Sequence, residues 1–294
     1  MNENPNRDEH SRRNPAGELH AQFRATRADF ERQLEARRMQ FEKTNERIKA
    51  KSGRNLLGAI GIGIVLGGLL LLSLLVNKDL FMLFAAVLLG ISSVELATAL
   101  QAMGRRVPRI PTGIVAVGAV PIAYYFGILA ALLFAAVGVV VVVLWRLVEI
   151  KRDYHATADV SLFKDAKAAA FVQAYVTGLG SFAVALVAMP NGQWWTLAFL
   201  IMVVSVDTGA YVSGLNFGKH PMAPKISPKK TWEGFAGAGL AAIIAGILLS
   251  IFMIGQPWWF GLIMGPIILV TATLGDLGES HIKRTIGVKD MSSW

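Results

Sequence analysis

The chain of 294 residues is 54% hydrophobic and only 17% charged, where an average soluble protein is roughly 25% charged. It contains no cysteine, which excludes disulfides, thiolate zinc sites and cysteine nucleophiles. A net charge of +9 would suggest nucleic acid in a soluble domain, but in a chain dominated by apolar runs the placement of charge outweighs its sum, and no nucleic-acid partner is expected.

Residues 1–54 are polar and lack the apolar stretch and small-residue cleavage site of a secretory signal, so this tail is expected to stay and the first span to act as anchor. Within it Leu19, Phe23, Phe30, Leu34, Phe41 and Ile48 fall in a narrow arc at about 100° per residue, which predicts one amphipathic cytoplasmic helix over residues 16–50. The thirteen basic and nine acidic residues of the tail 1–54 suit an anionic leaflet, a coiled-coil pairing or a solvated spacer.

Apolar runs then recur to the end of the chain, each long enough at about 1.5 Å per residue to cross a hydrocarbon core of roughly 30 Å. Read against breakers, they predict spans at Asn55–Val76, Leu80–Met103, Ile110–Tyr125, Phe126–Leu147, Ala168–Met189, Trp194–Leu215, Gly234–Ile254 and Trp258–Leu277. Only Phe126-Gly127 offers a turn between the third and fourth, which could also form a re-entrant pair. The expected fold is an all-α, polytopic membrane bundle of about eight transmembrane helices. Residues 55–277 form the membrane domain, 194–277 its catalytic part, and 278–294 a carboxyl-terminal segment.

Twenty-eight of the twenty-nine lysines and arginines lie in the tail, the Gly104–Arg109 turn, Arg146–Lys167, Gly218–Glu233 and the residues after Leu277. With eight spans all five segments share one side, and only Lys78 is opposite. The positive-inside rule makes that side cytoplasmic, with both termini of this chain there and the cell (inner) membrane as the location. Trp194-Trp195 and Trp258-Trp259 open two spans and are read as interfacial anchors.

An ionisable group near the centre of a span costs roughly 2.5–3.5 kcal/mol, so each one needs a reason. Glu95 is read as pairing with a basic residue such as Arg146. Asp207, Tyr211 and Gly214, spaced i, i+4, i+7, share a helix face that suits a polar pocket. Asp276, Ser280 and Lys283 repeat the spacing with Arg284 adjacent. The plain reading of that stripe is a salt bridge. The functional one is a carboxylate for magnesium beside cations for phosphate, which leads to phosphoryl or nucleotidyl transfer at the membrane boundary.

Two segments carry a resemblance. The first runs from Asp207-Thr208-Gly209-Ala210-Tyr211 through Phe217-Gly218-Lys219-His220 to Lys225-Ile226-Ser227-Pro228-Lys229-Lys230-Thr231-Trp232-Glu233-Gly234. The second runs from Gly275-Asp276-Leu277 through Glu279-Ser280 to Lys283-Arg284 and Lys289-Asp290. Both resemble the phosphatidate cytidylyltransferase family over roughly the last hundred residues. The resemblance implies transfer of CMP from CTP to phosphatidate at the cytoplasmic face, with pyrophosphate released and a divalent metal, Mg2+, required. It makes Asp276 a metal ligand, sets Lys283, Arg284 and Lys289 on phosphates, and matches Asp290 to the signature's acid. In the loop Lys225, Lys229 and Lys230 become cations, Ser227 and Thr231 hydroxyl donors, and Trp232 a ring for cytosine. Asp207, Tyr211 and Ser280 complete the substrate set. Membrane lipids and a second copy of the chain are the other candidate partners.

The family's signature continues beyond Lys289-Asp290 into a turn and a further aspartate, whereas this sequence stops at Trp294. The expectation is therefore a truncated form whose metal site lacks a second carboxylate and which is inactive as it stands. Two rival readings stay open: an ion-coupled transporter using Asp207 and Asp276, and a lipid kinase with another nucleotide or a polyprenyl acceptor.

Overall fold

The structure, a computed structural model, describes residues 56–152 and 161–286 together with Glu35 and Met39. Apart from Glu35 and Met39, both helical, the helix expected over residues 16–50 lies outside the described residues, as do Lys289 and Asp290. The chain divides into two compact units, Met1–Gly68 and Leu69–Trp294, and the bundle around the candidate site belongs to the second.

In order, the elements are α1 (Leu56–Val76), α2 (Lys78–Ala102), α3 (Arg109–Arg152), α4 (Leu162–Val172), a π-helical turn (Gln173–Gly178), α5 (Leu179–Ala188), α6 (Gly192–Phe217), β1 (Pro221–Ala223), β2 (Ser227–Thr231), α7 (Trp232–Phe252) and α8 (Trp258–Ile286). Their large apolar side chains point outward: Leu83, Leu133, Val204 and Leu274 are each 60–62% exposed. Such a surface would be a liability in water and is the ordinary lipid-facing surface of a membrane bundle. The protein is a multi-pass helical membrane protein.

Among the described residues six helical stretches are long and apolar enough to cross a bilayer, against eight runs read from sequence. The difference sits at two places. The first run forms α1, an apolar helix of 21 residues that is not among the six, and the third and fourth runs form the single 44-residue α3. That element is not straight. Gly127 leaves helical geometry with φ 81° and ψ 178°, a left-handed φ that glycine adopts without a Cβ penalty. A Cβ on Gly138 would meet Val115 and one on Gly118 would meet Phe134. In a straight helix the 23 residues from Val115 to Gly138 would span about 35 Å. Residues 109–126 and 128–152 therefore run antiparallel, reversing at the turn expected from Phe126-Gly127.

Helices in lipid gain nothing from hiding apolar surface from each other, so close backbone approach and packing hold them together. On α7 the buried residues Gly234, Ala238, Ala242, Gly246 and Ser250 recur every fourth position. This small-residue stripe lets α7 pack tightly against both α6 and α8. A Cβ on Gly261 of α8 would come within 2.2 Å of the Gly246 backbone, and one on Gly209 of α6 within 2.9 Å of the Gly237 carbonyl. Val206, Ala238, Ala242 and Leu269 form the shared core of these three helices.

The Gly218–Glu233 segment, expected as a loop in an all-α chain, carries a two-stranded antiparallel hairpin with Pro221 opposite Thr231 and Ala223 opposite Ser227. Proline has no N–H for a ladder, and a two-stranded ribbon tolerates Pro228 because it has only edges.

Candidate active site

The contact of α6, α7 and α8 brings together two carboxylates that lie 69 positions apart in sequence, Asp207 and Asp276. Both line a cavity of about 280 Å3 whose wall also includes Ala210, Tyr211, Lys229, Lys230, Thr231 and Thr273. Both also line a second cavity of about 780 Å3, formed otherwise by apolar residues such as Phe199, Leu200, Val203 and Ile268, with Glu279 at one side. The two acids and Ala272 are common to the two cavities. Apolar residues make up much of both walls, but Lys229, Lys230 and Thr231 line only the first cavity and Glu279 only the second, and the two meet at Asp207 and Asp276.

The hairpin is held beside the first cavity by bonds to α8 and α7, and α7 is bonded in turn to α6. Lys230 forms an ion pair with Asp276 on α8, and the Arg284 Nε donates to the Ile226 carbonyl. At its base, Glu233 Oε2 accepts from the backbone N–H of Lys219 at 3.1 Å and of His220 at 3.2 Å, while Oε1 lies 2.5 Å from His220 Nδ1. The Trp232 N–H donates to the His220 carbonyl at 3.0 Å. Thr231 caps α7, its Oγ1 accepting from Gly234 N–H at 3.1 Å, and this fixes a hydroxyl residue at the cavity wall. Ser213 on α6 donates to the Glu233 carbonyl at 2.7 Å.

Of the residues expected from sequence, Asp207, Tyr211, Lys229, Lys230, Thr231 and Asp276 share this cavity. Lys225 is exposed at the hairpin turn and Ser227 is part of β2. Trp232 is 56% exposed and stacks edge-on against Phe235, with centroids 6.0 Å apart. Ser280 lies one turn beyond Asp276 on α8, which continues nine residues past the Leu277 end expected for this span. Lys283 pairs with Glu279 at 2.6 Å along the same helix.

Sequence reasoning missed the Glu233–His220 clamp, the Glu279–Lys283 pair and the Lys230–Asp276 pair. Glu279 lies four residues before Lys283, a helical spacing that offered a signal. The other two pairs bridge separate elements and left none. The acids set on Arg146 are Asp165, at 3.0 Å, and Glu149, at 3.3 Å, where sequence had pointed to Glu95.

Comparison with known proteins follows the same lines. Residues 58–294 match the Cytidylyltransferase family. The chain is 36% identical over 247 residues to the phosphatidate cytidylyltransferase of Mycobacterium bovis, an alignment covering 82% of this chain and 81% of that one. With that of Mycobacterium leprae it is 36% identical over 249 residues, 82% and 80% of the two chains. A shorter match, 42% over 107 residues, links it to that of Haemophilus influenzae and covers 35% and 37%. The chain belongs to the cytidylyltransferase family.

Proposed function

We propose that this protein joins CTP to phosphatidate, giving CDP-diacylglycerol and pyrophosphate. The observation that carries this reading is the meeting, at Asp207 and Asp276, of a cavity that holds Lys229 and Lys230 with one whose wall has no cation among the described residues and is otherwise mainly apolar. The triphosphate enters beside Lys229, Lys230 and Thr231, and the lipid approaches through the apolar cavity. Each reactant then keeps to its own phase until the two phosphates are adjacent.

A phosphatidate oxygen attacks the α-phosphorus of CTP, the bond from that phosphorus to the bridging oxygen breaks, and pyrophosphate departs with the electron pair. A phosphomonoester is largely ionised near neutral pH, its second pKa lying near about 6, so no side chain has to remove a proton. The cavity wall accordingly needs no histidine and has none among its described residues. Lys229 and Lys230 offset charge on the phosphates, and Thr231 offers a hydroxyl donor. The incoming triphosphate competes with Asp276 for Lys230, and the exchange leaves that carboxylate open.

The donor set fits Mg2+. Among the described residues no three His, Cys, Asp or Glu side chains cluster into a protein cage, but magnesium takes one or two carboxylates and fills its shell with water and substrate phosphate. Asp207 and Asp276 are the residues that would hold it, and when bound it supplies positive charge to the phosphoryl oxygens. Lys283 and Arg284 extend the same phosphate-binding face in this reading, with Lys225, Ser227, Ser280 and Trp232 nearer the nucleotide, and Lys289 and Asp290, outside the described residues, keep the phosphate-binding and acidic roles expected of them. The protein sits in the cell (inner) membrane with the site on the cytoplasmic side, where the Gly218–Glu233 cations collect.

The test is full-length protein in phosphatidate-containing vesicles with Mg2+ and CTP labelled at the α-phosphate. Label should appear in lipid, with one pyrophosphate released per lipid made. Label that stays in water under every metal condition overturns the proposal. Transfer of the γ-phosphate instead would indicate a kinase, and solute counterflow a transporter, a reading the family match does not favour.

A further inference from the structure

A second charged cavity, of about 680 Å3, lies between the turn after α2 and the far end of α3. It shares no residue with the two cavities around Asp207 and Asp276. Arg106, Arg109, Arg146 and Arg152 line it, with one carboxylate, Glu149, in its wall. Asp165 lies against it, accepting from the Arg106 backbone N–H at 2.9 Å and from Arg146 Nε at 3.0 Å. Among the described residues, four permanently charged guanidiniums therefore face two acids.

The Arg146 side chain is only 6% exposed, Nε is taken by Asp165 and Nη1 by Glu149. Nη2 is buried and has no hydrogen-bond partner among the described residues. A buried guanidinium nitrogen left without an acceptor is costly, and it belongs to a side chain that lines this cavity. Arg109 is pre-oriented: its Nε donates to Gln101 Oε1 at 2.9 Å, while Gln101 Nε2 donates to the Val107 carbonyl at 2.7 Å. Held guanidinium forks match the two free oxygens of a phosphate better than a flexible ammonium does.

The wall is not only charged. Ile110 is 70% exposed and Trp145 49% exposed, and both line the cavity. An apolar side chain and an indole beside an arginine cluster suit a molecule that is anionic at one end and oily at the other. We propose that this cavity binds the phosphodiester headgroup of an anionic phospholipid, with Arg146 at its base and Arg106, Arg109 and Arg152 around it.

The test reconstitutes the full chain in phosphatidylcholine vesicles containing a trace of spin-labelled phosphatidylglycerol or spin-labelled phosphatidylcholine, and reads the motionally restricted fraction of each. The wild type should prefer phosphatidylglycerol. The combined Arg106→Gln, Arg109→Gln and Arg152→Gln variant, which spares the buried pair, should lose about tenfold in that preference. The control Lys151→Gln, Lys164→Gln and Lys167→Gln, which removes three cations outside the cavity, should keep it. Equal restriction of the two lipids in the wild type, or an unchanged preference in the arginine variant, overturns the proposal. So does an equal loss in the control, which would mean diffuse surface charge, and so does displacement of the lipid by inorganic phosphate at matched concentration, which would mean a free-anion site.

Discussion

Lys230, on the second strand of the hairpin, is ion-paired with Asp276 on α8, although 46 positions separate them. The pair lies in the wall of the first cavity and ties a basic segment to the carboxylate expected at the reacting phosphates. Lys230→Gln should lower kcat/KM for CTP by about 10- to 100-fold, the loss of a charge-assisted phosphate contact, while Lys230→Arg should retain part of it. Steady-state kinetics on protein of matched insertion would check this, and an unchanged KM for CTP would detach Lys230 from the nucleotide.

Glu233 acts one step further out. It is not part of the cavity wall but holds the Lys219 and His220 backbone at the base of the hairpin. Glu233→Ala should raise KM for CTP several-fold and leave kcat within about twofold, because the cations remain but are no longer pre-positioned. A fall in kcat alone would point to direct chemistry by this carboxylate.

The small-residue stripe of α7 makes a packing prediction. Gly261→Leu would drive a side chain into the Gly246 backbone and should cost about 1–3 kcal/mol or more of stability. Turnover should fall with it, since the same contact sets Asp276 near Asp207. Gly278→Ala, with nothing within 4 Å of its new Cβ, is the control and should leave the thermal midpoint equal or higher. Melting curves in detergent compare the two directly.

The arginine at the end of α3 gives a prediction about stability alone. Asp165→Ala would strand the buried Arg146 guanidinium and the Arg106 backbone N–H, a loss of about 3–5 kcal/mol for one partner of a buried pair. Replacing both partners by apolar residues, Arg146→Met with Asp165→Leu, should recover much of the difference in thermal denaturation.

The parts of this architecture that sequence makes legible are those with a strong local cause. Apolar runs stand out from charged turns, and Phe126-Gly127 offers a turn between two of them, so the reversal in α3 can be placed. Asp207 and Asp276 stand out because carboxylates are costly inside such runs. Side-chain spacing shows that Asp276, Ser280 and Lys283 share a face of α8, but not which element arrives opposite. The partner of Asp276 proved to be Lys230 on another element, while Lys283 turned to Glu279. The hairpin was hidden because strands of three and five residues carry too few alternations to register as a period, and Pro228 argues against a strand. The Arg146–Asp165 pair joins two elements across residues 153–160, and no periodicity links them.

The central claim is that Asp207 and Asp276 work as one unit at the junction of the two cavities. Its most direct test is a kinetic cycle of Asp207→Asn, Asp276→Asn and the double variant in full-length protein shown to be inserted and folded. Asp276→Asn should lower kcat by at least about 100-fold, and the double variant should be scarcely worse than that single one, as for groups that act together. An Asp276→Asn protein turning over within about twofold of wild type, or losses that simply multiply, would contradict the account.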